Sequence, residues 1–204
     1  MLTFDKVTAF VTRPHGAGHD LLLFEHPNAG IQLPAGSVEE GEDPQNAVVR
    51  EVAEETGLTA VTVRQDLGCH EEHFPPETRV LAHATTVYAR PDPASFDWIH
   101  MPRGAQVEVL RREGGYSQIR YIEPDKLPDP TYETMHLVGW APDDALAAVR
   151  RRYFYHLTSD ADTPDRWSIF ADHHTFTPFW APLDALPQLI WPQSEWLAYL
   201  DGVT

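Results

Sequence analysis

A single cysteine, Cys69, stands in this 204-residue chain. No disulfide can close within it, and no cysteine-based zinc cluster can be assembled. Long apolar runs are also missing. No stretch approaches the roughly 18 residues of a membrane-spanning helix, and the opening MLTFDKVTAFVTRPHG has no basic segment followed by an extended apolar one. The expectation is a cytoplasmic protein. Cations are scarce: 15 Lys and Arg face 31 Asp and Glu, for a formal net charge of −16. A surface of that sign repels the phosphate backbone of nucleic acids and the headgroups of anionic membranes. A small polyanionic substrate stays open, provided that something positive lies between it and the protein, and a divalent metal would serve. Proline, by contrast, is plentiful at 18 residues, which favours short strands and loops over long helices. The length allows one large domain or two small ones, with a core that needs no staples.

Residues 4–13 and 20–25 read as two strands separated by the loop Pro14 to His19. Residues 26–43 carry glycine, proline and acids and read as a loop. Asp43 as cap, Pro44 at the first helical position and Gly57 as terminator predict a helix over 44–56. A strand near 60–67 follows. Residues 79–90, 105–113, 116–123 and 135–142 read as short strands at the spacing of a small barrel. In the tail, 152–158 and 174–181 read as aromatic-rich strands. Short helices are expected over 183–189 and 193–201, the second capped by Ser194.

The chemistry concentrates on the predicted helix. Glu51, Glu54 and Glu55 lie at i, i+3 and i+4, within an arc of about 100° on one face. Val48, Val49, Val52 and Thr56 lie on another, suited to burial against a sheet. Three crowded carboxylates repel one another unless a cation joins them, and hard oxygen ligands suit Mg²⁺ or Mn²⁺. Arg50 sits one turn before Glu54 and can pair with it. Residues 36–58, GSVEEGEDPQNAVVREVAEETGL, fit G-x5-E-x7-R-E-U-x-E-E-x-G-U, with U aliphatic, at every specified position. The matches are Gly36, Glu42, Arg50, Glu51, Val52, Glu54, Glu55, Gly57 and Leu58. The segment resembles the box of the Nudix hydrolases.

That resemblance implies an α+β fold, a mixed sheet sandwiched between helices, with a loop–helix–loop that binds divalent metal. Glu51, Glu54 and Glu55 would be the metal ligands and, with Arg50, the catalytic set. Gly36, Glu42 and Gly57 would support them, Gly36 through a close turn and backbone approach. The implied reaction is attack of water on phosphorus in the pyrophosphate of a nucleoside diphosphate linked to another moiety, assisted by Mg²⁺ or Mn²⁺. A further acid from a later loop is open, with Glu71, Glu72, Asp165 and Asp172 as candidates. His173 or His174 is a candidate base; adjacent strand residues face opposite ways, so at most one of the two points into a site. His70 and His73 lack a third ligand. Phe74, Phe154, Trp180 and His174 are candidate substrate contacts, the aromatics by stacking on a base.

A Nudix domain is shorter than this chain, and the excess lies at 76–150. Tyr88, Arg90, Pro102, Gly104, Val107, Val109 and Leu110, then Gly115, Tyr116, Ile119, Tyr121, Gly139, Trp140 and Leu146, resemble a bacterial Src-homology-3-like domain. The expected organisation is a discontinuous Nudix domain, 1–75 plus 151–204, with a small barrel-like insertion at 76–150. A lid, a homodimer contact and a docking surface are the open roles for the insertion. Trp98, Tyr116 and Trp140 are its candidate aromatic contributors. The leading function is a pyrophosphohydrolase of a small nucleotide, with no nucleic-acid or membrane partner. The alternative is a non-catalytic nucleotide sensor that uses the insertion as its interaction surface, though such modules tend to lose box acids and this chain keeps all of them. The array that marks NADH-cleaving relatives is missing after the box. The longer array associated with coenzyme A cleavage is missing before it, and the intact box argues against isoprenoid isomerisation.

Overall fold

The computed structural model describes residues 2–126, 129–171 and 174–201. In chain order its principal elements begin with β1 (Thr3–His15), β2 (Gly18–His26), β3 (Gly30–Gln32), β4 (Ala35–Ser37), α1 (Pro44–Thr56) and β5 (Thr62–His73). There follow β6 (Thr78–Leu81), β7 (Thr85–Tyr88), β8 (Asp97–Met101), β9 (Gln106–Glu113), β10 (Tyr116–Pro124), β11 (Glu133–Pro142) and β12 (Leu146–Ala147). The chain continues with β13 (Val149–Thr158), β14 (Ile169–Ala171), β15 (His174–Pro182) and α2 (Gln193–Trp196). It divides into two compact units, one of Met1–Asp5 with His70–Arg151, the other of Lys6–Cys69 with Arg152–Thr204.

The unit that carries the box is built on a sheet of order β14-β15-β2-β1-β13-β5, with β3 attached to β2 and β4 to β1. β1 is antiparallel to β2 and to β4, and β2 to β15. Side-chain contacts fix the direction of β13. Arg152 meets Thr8, Phe154 stacks near Phe10 and His156 bonds Thr12, so both strands advance together and β13 runs parallel to β1. The sheet is therefore mixed. Pleating sorts its residues onto two faces. Val7, Ala9, Val11, Leu22, Tyr155, Leu157 and Trp180 pack with Ala47, Val48 and Val52 of α1. Phe10, Leu21, Leu23, Phe154 and Ala181 pack on the other face with Leu189, Trp196, Leu197, Tyr199 and Leu200 of the C-terminal segment. Helical turns thus cover both faces of this sheet.

The other unit holds a sheet of order β12-β6-β9-β10-β11-β7-β8. The meander β9-β10-β11 turns at Gly114 and Gly115, both at positive φ, a conformation open to glycine without steric cost. Leu81, Val87, Met101, Val107, Ile119, Ala141 and Leu146 form its core. A second cluster gathers Phe4, Val80, Ala82 and Ala147, with Phe74 packed against it.

Several expected elements differ. The strand expected at 60–67 runs on to His73. The segment 79–90 is two strands separated by a bend at 82–84. The helix expected at 183–189 is a single 3₁₀ turn, Leu183–Ala185. Pro187 forces the preceding Leu186 into the extended region, at φ −65° and ψ 138°. The segment 193–201 is one α turn followed by a 3₁₀ turn, Leu197–Leu200. Ser194 lies inside that turn rather than capping it, because the helix starts one residue earlier, behind Pro192.

Candidate active site

α1 is placed by its ends. The Asp43 side chain accepts from the Gln45 amide at 2.9 Å, Pro44 occupies the first turn, and Gly57 closes the helix at φ 74°. Ala47, Val48 and Val52 anchor one stripe in the core, which turns Arg50, Glu51, Glu54 and Glu55 toward the margin of the sheet. There β4 pairs with β1 through Lys6↔Ser37, Val7↔Gly36 and Thr8↔Ala35.

β4 supplies the seat for two of the glutamates. The Ala35 amide donates to Glu55 Oε2 at 2.8 Å. A Cβ added at Gly36 would stand 1.9–2.1 Å from the carboxylate atoms of Glu51. That space belongs to Glu51, and glycine is required there for room. Gly57 instead supplies a left-handed cap, with Ile169 Cδ1 3.1 Å from where a Cβ would sit.

Arg50 is the hub of the cluster. Its Nε and Nη2 donate to the two oxygens of Glu42 at 3.0 and 2.9 Å, a bidentate pair. Nη1 donates to Glu51 Oε1 and to Glu54 Oε2, both at 2.9 Å, and Nη2 also reaches the Ser37 carbonyl at 2.9 Å. Glu42 in turn accepts from the Glu39 amide at 2.9 Å, which closes the loop before the helix. The hydrogen bond to Glu42, ahead of those to Glu51 and Glu54, raises the affinity of the guanidinium for its proton. The Glu51 side chain is only 12% exposed, whereas that of Glu54 is 55% exposed. Burial pushes the Glu51 carboxyl above its ordinary range. The hydrogen bond and charge of Arg50 oppose that shift, and the charge of Glu54 adds to it.

Among the described residues, no three Asp, Glu, His or Cys side chains are already gathered in a metal-holding arrangement. Glu42, Glu51 and Glu54 converge on Arg50 instead. The donor set nonetheless fits a hard divalent cation in kind: three carboxylates on one helix face, one of them buried against a glycine that leaves it room.

The other candidates are dispersed. Phe154 is fully buried, its ring stacked 4.0 Å from Tyr199 and facing Phe10 and Trp196, which leaves no face for a base. Trp180 is 7% exposed on the α1 side, with Arg13 4.6 Å over its ring and its Nε1 donating to Thr163. His174 opens β15, with its ring 5.1 Å from that of His26. Asp165 pairs with Arg13. Phe74 belongs to the other unit, beneath Arg150 and against Phe4 and Val80. Glu71 and Glu72 are ion-paired with Arg151 and Arg150 in that unit. His70 and His73 are exposed there too. Asp172 and His173 lie outside the described residues.

Two features of the site were not read from the sequence. The backbone anchors Ala35 N and Ser37 O carry no side-chain signal. Lys6, whose charge favours the ionised form of Glu51, sits in a strand that reads only as core-forming.

The site is thus a box helix whose glutamates are organised by one arginine over a glycine strand, on a mixed sheet. A family model described as NUDIX domain matches residues 3–138, more than half of the chain, and the chain belongs to the Nudix family. Members of that family are typically pyrophosphohydrolases of nucleoside diphosphate derivatives and generally need divalent cations such as Mg²⁺ or Mn²⁺. Among the described residues, no helix is long and apolar enough to cross a membrane.

Proposed function

We propose that this chain hydrolyses the pyrophosphate bond of a nucleoside diphosphate linked to another moiety. The observation that carries the reading is the Arg50 hub, which binds Glu42, Glu51 and Glu54 at 2.9–3.0 Å while Glu51 fills the space left by Gly36. Glu51, Glu54 and Glu55 are the residues that would hold the metal. Bound Mg²⁺ or Mn²⁺ supplies the charge that neutralises phosphate oxygens and lowers the pKa of a water. The chain's own work is positioning. Glu42 fixes Arg50 from two sides, and Arg50 fixes the carboxylates of Glu51 and Glu54. The Ala35 amide holds Glu55. Glu54, the most exposed of the three, is the carboxylate that incoming water meets.

The test is a panel of nucleoside diphosphate derivatives with Mg²⁺ and Mn²⁺, read by release of a nucleoside monophosphate. Turnover of at least one compound, lost in Glu54→Gln with Glu55→Gln, is expected. Tight binding of one compound with no turnover of any would instead identify a sensor, and activity retained in the double variant would refute the ligand assignment.

We also infer that 76–150 is a Src-homology-3-like insertion into a Nudix domain formed by 1–75 and 151–204, and that it serves the site or a homodimer. The antiparallel meander of β9, β10 and β11 supports the barrel reading. Of its three candidate aromatic contributors, Trp140 is buried and Tyr116 packs edge-on to Tyr88. Trp98 is 55% exposed beside the exposed Phe96, so of those three an outward role falls to Trp98.

A further inference from the structure

A cavity of about 640 Å³ lies within the box-bearing unit, where the β1–β2 hairpin ends beside the corner that follows β15. The register sets Arg13 opposite Asp20 and His15 opposite Gly18, and β15 meets Asp20 at Pro182. Val7, the partner of Gly36, stands eight positions before His15 on β1, a path of about 26 Å along the strand. The cavity is therefore separate from the box glutamates. Its lining is built of acceptors. Asp20 is nearly withdrawn from water, with its side chain 3% exposed. Its Oδ2 accepts from Arg13 Nε at 3.1 Å and from His15 Nδ1 at 2.7 Å. Among the described residues Oδ1 takes no hydrogen bond, yet the one buried unpartnered side-chain atom is Asp5 Oδ1. The second oxygen of Asp20 is thus open to solvent at the cavity that Asp20 lines. A carboxylate only accepts, so neutral His15 carries its proton on Nδ1 and keeps Nε2 as a lone-pair acceptor. Asp184 adds an exposed carboxylate. Among the described residues neither Lys nor Arg lines the cavity, and Arg13, the cation on Asp20, is shared with Asp165.

A negative lining that accepts hydrogen bonds suits a ligand that is positive and donates them. Among the described residues, no three acid, His or Cys side chains gather as they would around a metal ion, and the volume is that of an organic molecule. We propose that this cavity binds a small organic cation through a primary ammonium group. Such a group has three N–H donors, and Asp20 Oδ1, His15 Nε2 and the Asp184 carboxylate are three acceptors for them. Pro182 and Leu183 line the same cavity and supply apolar surface for the hydrocarbon part.

The test titrates 1,4-diaminobutane into the full chain without added metal, followed by amide NMR, with 1,4-butanediol as the neutral control. Saturable shifts are expected at Ala17, Gly18 and Leu183, which line the cavity. The amides of α1 should stay still, and the diol should shift nothing. Asp184→Asn is expected to weaken binding about tenfold, the scale of one charge-assisted hydrogen bond. Glu113→Gln removes an equal charge in the other unit and should leave Kd within about twofold. That comparison separates the site from general attraction of a cation to a chain of net charge −16. Asp20 is tied to Arg13 and His15, so Asp20→Asn is read beside its melting temperature, and the exposed Asp184 decides. No binding by the parent chain, a Kd that Asp184→Asn leaves unchanged, or an equal loss in Glu113→Gln overturns the proposal. Shifts centred on α1 also overturn it, since they would put the amine at the box glutamates. Binding of Zn²⁺ but not of the diamine overturns it in favour of a metal.

Discussion

Gly36 is where a single methyl group separates fold from function. The atoms that an alanine Cβ would strike are the far end of the Glu51 side chain, which can swing aside at little cost to stability. A displaced catalytic group is far more costly, since a shift on the order of 1 Å can lower turnover roughly 100-fold. Gly36→Ala should therefore lose about that factor in kcat while its melting temperature stays close to that of the parent. A large fall in stability with normal specific activity would refute this. A second residue-scale prediction concerns His156, buried against Thr12 Oγ1 at 2.8 Å. Burial, then the charges of His19 and Arg64, lower its pKa from the ordinary 6.5. The unfolded chain takes up the proton before the folded one does, so stability falls as pH drops below that ordinary value. Thermal melts of His156→Gln should show a shallower decline on the acid side, and an unchanged slope would count against it. The box glutamates, Arg50 and Gly36 were legible in the sequence because their spacing is tied to a helix period and a fixed loop. The backbone anchors Ala35 N and Ser37 O were not, because an amide and a carbonyl carry no side-chain signal in linear order.

At the scale of elements, α1 was readable because both ends are written in side chains. Asp43, Pro44 and Gly57 each satisfy a terminal requirement, and the apolar stripe between them has the helix period. Asp43→Ala removes the bond to the Gln45 amide and should cost about 1 kcal/mol, seen as a lower denaturant midpoint with an unchanged slope. The glutamates themselves are fixed by Arg50, Ala35 and Gly36, so kcat in the folded protein should change little. A loss of activity without a loss of stability would show that the cap acts on the site directly. The C-terminal segment was misread because its apolar residues satisfy a helical pattern, yet Pro187 and Pro192 restrict the residues before them. Local proline chemistry overrode periodicity there. The strand β5 ran longer than expected because its outer half is polar on both sides, so alternation, the usual signal, is missing.

For the whole molecule, the two units have separate cores, each composed of residues from its own unit. The chain leaves the box-bearing unit after Cys69 and returns at Arg152. Within the box-bearing unit Arg64 donates to Thr158 at 2.7 Å, and within the other unit Arg151 pairs with Glu71 and Arg150 with Glu72, both at 2.6 Å. β5 and β13 therefore lie as neighbours in the arrangement of a hairpin, and a tight Asn-Gly turn suits such a pair. Replacing 73–149 with that dipeptide and removing 1–4, of which Leu2 and Phe4 pack in the other unit, should leave a chain that folds and unfolds as one cooperative transition. Failure to fold would show that the box-bearing unit depends on the rest. Once it folds, the role of the removed segment can be read directly. A raised KM would place it at the substrate, and a halved particle mass would place it at a homodimer contact, with Trp98→Ala in the full chain expected to reproduce either change in part. Unchanged turnover together with unchanged mass would sink both roles and leave a pyrophosphohydrolase complete in residues 5–72 and 150–204.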